Sequence, residues 1–172
     1  MSFRSGAAIC GAFLTLVFSS AAMAQSGPNR IDPSLAISKS GATITGAAST
    51  YNPHWGGRIE GGVSTASGER YDVSAWAAAI KTTLRNAFGG VHFGSKPKYA
   101  LVEGAGKQAI VKINDVGPLE PGRIIDLNER TMRYFDPGMA RGVIHDVKVT
   151  PLAGSGWKAG PVAVDSRLAS AT

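Results

Sequence analysis

Short segments rich in β-branched residues, each bounded by glycine or proline, constrain the fold of this chain more than any other feature of its sequence. Two of them, "AIVKI" and "DVKVT", alternate apolar with polar residues, which is typical of strands that bury one face. The four residues "GAGK" (104–107) predict a hairpin connection. The predicted strands are 42–50, 98–104, 108–115, 123–127 and 143–150.

Two segments favour helix. In "DLNERTMRYF", the spacing predicts that Leu127, Met132 and Phe135 share one apolar face. Either Asp126 or Asn128 is the N-cap, because both residue types accept hydrogen bonds from a first helical turn. This segment is therefore predicted to be a short helix that packs on the strands.

The segment "SAWAAAIKTTLRNAF" (74–88) is ambiguous, since its alanine content favours a helix and Ser74 is a candidate cap. Many short strands with one or two short helices predict a mainly β fold, namely a small barrel closed so that its strand edges are hidden. The glycine-rich stretches 52–68 and 89–96 are then expected to be surface loops, where binding usually resides.

The amino terminus has the features of a secretory signal peptide over residues 1–24. Arg4 gives a positive start, "AAICGAFLTLVF" an apolar core, and "AMA" a cleavage site after Ala24. Cys10, the single cysteine, lies inside this segment and too early for a lipoprotein anchor. We therefore expect a periplasmic or secreted protein with no membrane anchor after signal cleavage, and with no disulfide.

The remaining chain predicts one domain, at 41–152, between a polar, proline-containing linker at 25–40 and a C-terminal tail at 153–172. In the tail, Trp157 and "PVAV" are candidates for packing back onto the domain. Removing the signal leaves 17 basic and 12 acidic residues, a net charge of +5. This surplus suits an acidic polymer, but the charges form no Lys/Arg run, so we expect no nucleic-acid partner.

Several carboxylates lie in or beside predicted loops, and paired carboxylates in a cleft are the groups that cleave glycosidic bonds. Each also has a structural interpretation: Asp115 closes an Asx turn, Asp126 caps the helix or pairs with Arg123, and Glu69 is solvated on a flexible loop. Both interpretations remain open at this point. The candidates are Glu69, Asp72, Asp115, Glu120 and Asp126.

Aromatic residues near the same loops, Tyr51, Trp55 and Tyr71, are candidates for stacking on sugar faces, although Trp55 also suits a cover for the barrel end. The histidines, at positions 54, 92 and 145, lack the spacing of a zinc site. The sequence therefore predicts no metal and no cofactor.

Five motifs in order resemble the rare lipoprotein A (RlpA) family over roughly residues 44–151. They are "GAASTY" with a following "GGR", "TASGERYD", "VKINDVGP", "GRIIDLNERTMRYF" and "GVIHDVKV". The resemblance implies a six-stranded double-psi β-barrel. It also implies a lytic transglycosylase that acts on peptidoglycan glycan strands between N-acetylmuramic acid and N-acetylglucosamine and leaves 1,6-anhydro ends.

By motif position, the resemblance implies that Asp115 and Glu69 are the catalytic acids. Asp115 is expected to be the acid/base and Glu69 to stabilise developing positive charge, or the reverse. The expected substrate-binding residues are Tyr51, Trp55, Tyr71, Asp72 and Arg123. The expected structural support comes from Asn114, Gly117, Pro118 and Asp126.

The chain departs from the family pattern at three places. Ile80 stands where a histidine is expected, Val116 follows "ND" where an arginine or aromatic residue is common, and "RNAFGGVHFGSK" (85–96) widens a loop. A lipoprotein cysteine and a C-terminal peptidoglycan-binding repeat are also lacking from this sequence. Three hypotheses follow: a monomeric lytic transglycosylase, a non-catalytic glycan-binding, expansin-like barrel, or a partner-binding structural protein.

Overall fold

Seven strands and two short helices form the part of the protein that the structure, a computed structural model, describes: residues 41–53 and 63–163. The signal, the linker, Trp55 and the last residues of the tail lie outside the described residues. The strands are β1 (Ile44–Thr50), β2 (Ala77–Lys81), β3 (Lys98–Gly104), β4 (Lys107–Gly117), β5 (Arg123–Leu127), β6 (Val143–Leu152) and β7 (Gly160–Val162). A 3₁₀ helix spans Thr82–Phe88, and α1 spans Glu129–Phe135.

Six of these strands close into a barrel. Their order around it is β2, β5, β1, β6, β3 and β4, and a further pairing of β4 with β2 closes the ring. Two pairs are parallel, β1 with β5 and β2 with β4, while the other four pairs are antiparallel. The predicted mainly β, six-stranded barrel with two short helices is confirmed.

Alternation along the strands fills the barrel interior with apolar side chains, because successive residues of a strand point to opposite faces. Ile80, Val111, Ile125 and Leu127 are fully buried there. A smaller apolar cluster of Leu101, Ile110, Leu152 and Val162 packs separately, with Tyr99 and Trp157 against it. The short strand β7 pairs with β4, so part of the predicted C-terminal tail packs on the barrel.

The five predicted strands are all present, and the predicted hairpin connects β3 to β4 through Ala105 and Gly106. Both turn residues have positive φ, the geometry of a tight hairpin turn that matches the twist of the strands. The predicted helix is α1, with Asn128 in the N-cap position.

The helical prediction for 74–88 is wrong in its first half. Ala77–Lys81 is strand β2, which pairs with β4 on one side and β5 on the other. Pairing on both edges overrides the intrinsic helix propensity of alanine, and the small side chains fit a strand that is buried on both faces. Ser74 does not cap a helix, since its amide and hydroxyl both donate to the Asp72 carboxylate.

Among the described residues, no helix has the length and the apolar run needed to cross a bilayer.

Candidate active site

A groove of about 480 Å³ opens at one side of the barrel, along β2 and its two neighbours β4 and β5. Its walls come from β2, from the end of β4, from β5, from the β4–β5 connection and from two residues of the β1–β2 connection. The lining residues are Tyr51, Ser64, Ala79, Asp115, Val116, Gly117, Pro118, Leu119, Glu120, Arg123 and Asp126. Of the carboxylates singled out in the sequence, the groove therefore gathers Asp115, Glu120 and Asp126.

Strand register sets two of these acids in one row across the barrel. Asp115 of β4 is the partner of Ala79 of β2, Ala79 is the partner of Asp126 of β5, and Asp126 is the partner of Ser49 of β1. Two interstrand spacings separate the backbones of the two acids by roughly 10 Å. Because the residue between them is alanine, the row leaves room for a ligand between the two carboxyl groups.

Asp115 is held by three hydrogen bonds. The Tyr51 hydroxyl donates to its Oδ2 at 2.7 Å, and the amides of Ala66 and Val116 donate to its Oδ1 at 2.8 and 2.9 Å. The Val116 donor is the next residue of β4, whereas the other two donors come from distant parts of the chain. An Asx turn needs the amide two residues on, so the predicted turn at Asp115 is not formed, and Asp115 presents an oriented carboxylate to the groove from within the strand.

Asp126 lies at the other end of the row and is partly buried. Burial raises the pKa of its carboxyl, although the Ser49 hydroxyl, which donates to Oδ1, and the charge of Arg123 act in the opposite direction. In the described part of the chain, no salt bridge joins Asp126 to Arg123, so the predicted pairing is not formed. A carboxyl group with a raised pKa is suited to keep a proton at a pH where ordinary carboxyl groups have lost theirs.

Tyr51 and Tyr71 are stacked edge to face, with ring centroids 5.2 Å apart. Burial, and then the hydrogen bond to the Asp115 carboxylate, raise the pKa of the Tyr51 phenol, so Tyr51 remains a hydrogen-bond donor. The Tyr71 hydroxyl donates to the carbonyl of Tyr51 at 3.0 Å. Tyr71 is only 7% exposed, so little of its ring is available for stacking on a sugar.

Glu69 does not line the groove. Its Oε2 lies 2.6 Å from the Lys112 ammonium and accepts a hydrogen bond from the Asn114 side-chain amide at 3.1 Å. Burial acts to raise the pKa of Glu69, but these two donors outweigh it, and the pKa is lowered. Glu69 is therefore an ionised, charge-paired carboxylate.

The other predicted site residues divide between the groove and its surroundings. Arg123, Gly117 and Pro118 line the groove. Asp72 is exposed and outside the groove lining, and hydrogen bonds from the hydroxyl and amide of Ser74 lower its pKa. Asn114 is buried and contacts Glu69.

Ile80, at the position where the sequence resemblance expects a histidine, packs in the barrel core. Its neighbour Ala79 is the residue of β2 that lines the groove. Within residues 41–53 and 63–163, no three histidines or acids lie close enough to hold a metal ion.

Sequence reasoning missed three residues of this arrangement: Ser49, Ala79 and Lys112. Lys112 had a usable signal, because it stands two residues before Asn114 and so shares its face of β4. Ser49 and Ala79 had none, since only the register between distant strands brings them to Asp126.

The family of proteins described as "Lytic transglycolase" matches residues 43–149, a stretch that contains the six barrel strands almost entirely. The chain belongs to this family. The barrel is accordingly an RlpA-like double-psi β-barrel, as the sequence resemblance implied.

Relatives of this chain include proteins named "Endolytic peptidoglycan transglycosylase RlpA" from several bacteria. The protein from Neisseria meningitidis serogroup A is 40% identical over 110 residues, which cover 61% of this chain and 39% of the relative. Those from Vibrio cholerae and Pseudomonas aeruginosa are 36% and 35% identical, over 51% of this chain and 28% and 24% of their own lengths. This chain therefore matches well under half of the length of the curated relatives.

Among solved structures, a Streptomyces papain inhibitor (SPI) superposes with a TM-score of 0.48 at 20% identity, over 65% of this chain and 96% of that chain. This likeness is too low to support an argument about function.

Proposed function

We propose that this protein is a peptidoglycan lytic transglycosylase that cleaves the bond between N-acetylmuramic acid and N-acetylglucosamine and leaves 1,6-anhydro ends. The observation that carries the proposal is the row of Asp115, Ala79 and Asp126 across the groove, in a chain of a family described as lytic. The relatives' names support peptidoglycan as the substrate. We propose that it acts on this substrate in the periplasm or outside the cell, as a monomer.

The reaction needs one proton donor and one proton acceptor. As the glycosidic bond breaks, the leaving oxygen takes a proton from a carboxyl group, and the muramic 6-hydroxyl attacks the anomeric carbon and gives up its proton to a carboxylate. Because this hydroxyl belongs to the same sugar, proximity supplies part of what an activated water would otherwise need. The groups required are thus two oriented carboxyls, or one that acts twice.

We assign the accepting step to Asp115, whose carboxylate receives three hydrogen bonds and faces the groove. We assign the donating step to Asp126, because burial raises the pKa of its carboxyl. Two carboxyls in such different surroundings are the usual arrangement for separate acid and base roles. This modifies the sequence-based assignment, in which Asp115 carried both steps and Asp126 only supported the turn.

The reverse assignment, with Glu69 as the general acid, is disfavoured. Its carboxylate pairs with Lys112 at 2.6 Å, which stabilises the ionised form. Tyr51 and Arg123 remain proposed substrate contacts, and Gly117 and Pro118 line the groove with them.

The test is mass spectrometry of material released from purified sacculi by the wild-type protein and by Asp115→Asn and Asp126→Asn. Wild-type release of anhydro-muropeptides that falls by about 10²–10⁴-fold in both variants supports the proposal. If Asp126→Asn releases anhydro-muropeptides as fast as the wild type, Asp115 must both donate and accept the proton. Sacculus binding by all three proteins without any release would identify a glycan-binding barrel instead.

A further inference from the structure

A short hairpin before β2 carries the "TASGE" motif and is docked on the end of β4. We call it the 63–71 hairpin, because the Tyr71 amide donates to the Val63 carbonyl at 2.8 Å and closes its base. Its tip is a turn in which the amides of Gly68 and Thr65 donate to the carbonyls of Thr65 and Glu69, both at 2.8 Å. Gly68 has φ of +89°, which strongly favours glycine at this point of the turn.

Three sets of contacts join the hairpin to β4. The Ala66 amide donates to Asp115 Oδ1 at 2.8 Å, the Ser67 amide donates to the Asn114 carbonyl at 3.0 Å, and Glu69 binds the side chains of Asn114 and Lys112. The first contact faces the groove. The last lies further along the same outer face, because Lys112 pairs with Ala77 and Asp115 with Ala79, two residues apart on β2, and the register shift between them keeps both side chains on one side of the sheet.

We propose that Glu69 and Lys112 are positioning residues that clamp the 63–71 hairpin to β4, so that the Ala66 amide holds Asp115 in its productive orientation. The inference deepens the proposed function and rests on it. It gives the acid of the "GE" motif a role without contact to the substrate, and it gives Lys112 a role that the sequence did not suggest.

The geometry supports a clamp over a direct catalytic role. Glu69 does not line the groove, and a single oxygen, Oε2, accepts from both Lys112 and Asn114. Only two residues of the same hairpin, Ser67 and Gly68, separate Glu69 from Ala66, whose amide holds Asp115. A small displacement of this amide turns the Asp115 carboxylate, and misplacement of a catalytic group by about 1 Å can cost up to about 10²-fold in rate.

The experiment compares Glu69→Gln, Lys112→Gln and the double exchange of Glu69→Lys with Lys112→Glu. Each single variant removes the ion pair, whereas the double exchange restores it with the charges reversed. Two readouts are taken on each protein: kcat for anhydro-muropeptide release, and the hydrogen-exchange rate of the Ala66 amide. Arg133→Gln is the matched control, since it breaks the helix ion pair of Arg133 with Glu129, at 2.8 Å, and leaves the hairpin untouched.

We expect each single variant to lower kcat about tenfold with little change in KM, and to speed exchange of the Ala66 amide. The double exchange should recover most of both losses, and Arg133→Gln should change neither. If the double exchange is as inactive as Glu69→Gln, or if Ala66 exchange is unaffected in the single variants, the clamp is wrong and Glu69 acts in another way.

Failure of the proposed function leaves a different pattern. A wild-type protein that releases no anhydro-muropeptide would refute the transglycosylase, yet the exchange rate of the Ala66 amide across the same variants would still decide whether Glu69 and Lys112 hold the hairpin.

Discussion

The two halves of the barrel, β1–β3 and β4–β6, have the same strand pairing but different chemistry. Exchanging β1 with β4, β2 with β5 and β3 with β6 leaves the whole set of parallel and antiparallel pairs unchanged. Under this exchange Asp115 corresponds to Ser49, and Asp126 corresponds to Ala79. Both groove acids of the central row therefore come from the second half, and the first half supplies small side chains at the same positions.

The difference shows which features belong to the fold and which to the site. Interior positions are apolar in both halves because the closed barrel must fill one common core. The row across the groove faces away from that core, so its residues are free to differ. The connections differ as well: residues 118–122 join β4 to β5 directly, whereas 51–76 join β1 to β2 and include the 63–71 hairpin that contacts Asp115.

The largest effect is expected where the halves are alike. Ile80 and Leu127 occupy corresponding, fully buried positions on β2 and β5. Ile80→Ala and Leu127→Ala should each lower the free energy of unfolding by about 2–5 kcal/mol, and by similar amounts, because both leave a cavity in the same core. Urea denaturation measures this, with the exposed Val73→Ala as a control within about 0.5 kcal/mol. A cost confined to one half would show that the halves do not share one core.

The next largest effect is expected at Tyr51, which follows β1 of the first half and donates a hydrogen bond to Asp115 of the second half. Tyr51→Phe removes the hydroxyl that donates to Asp115 at 2.7 Å. A hydrogen bond to a charged group is worth about 1.5–3 kcal/mol, so kcat for muropeptide release should fall roughly 10–100-fold. Tyr134→Phe, which loses a hydroxyl bonded to the Gln108 carbonyl at 3.2 Å, is the control. Equal rates for the two variants would remove Tyr51 from the site.

A smaller effect on stability is expected at Asp126, because its carboxyl group titrates whereas its counterpart in the first half, Ala79, has no ionisable group. Because the folded-state pKa of Asp126 is raised, the native protein binds this proton more tightly than the unfolded chain. Stability is therefore lost as the pH rises from the ordinary pKa of 3.8 through the raised value.

Asp126→Asn removes this penalty, so the variant should melt a few degrees above wild type at pH 7. The advantage should vanish near pH 3, where the carboxyl is protonated in both states. Thermal unfolding followed by circular dichroism between pH 3 and pH 8 checks both ends of this range, and an advantage that does not depend on pH would exclude the titration of Asp126 as its cause.

The smallest effect is expected at Asp72, which is exposed and outside the groove lining. Asp72→Asn keeps a side-chain oxygen for the Ser74 amide, so the free energy of unfolding should stay within about 0.5 kcal/mol and activity should be unchanged. A substantial loss of sacculus binding would bring Asp72 back as a substrate contact.

Much of the fold could be predicted because local patterns and tertiary structure agree. The segments around Val111 and Val149 alternate as strands with one buried face, and they are strands. The exception is Ala77–Lys81, where a run of alanines favours helix in isolation and pairing with β4 and β5 decides for strand. Of the candidate site, Asp115 was predictable from its motif, but its donors Tyr51 and Ala66 lie 64 and 49 residues away in the chain.

The sequence by itself determined the strand-rich composition, the hairpin at Ala105 and Gly106, the short amphipathic helix α1 and the motifs that mark the family. These depend on residues close together in the chain, where propensity and periodicity act directly. Only the tertiary structure decided that Asp115 and Asp126 flank Ala79 in one row. It also decided that the buried ring of Tyr71 packs edge to face with Tyr51 and that Glu69 forms an ion pair with Lys112. The reason is that barrel closure and strand register, which set these contacts, arise from pairing between distant segments that no local pattern records.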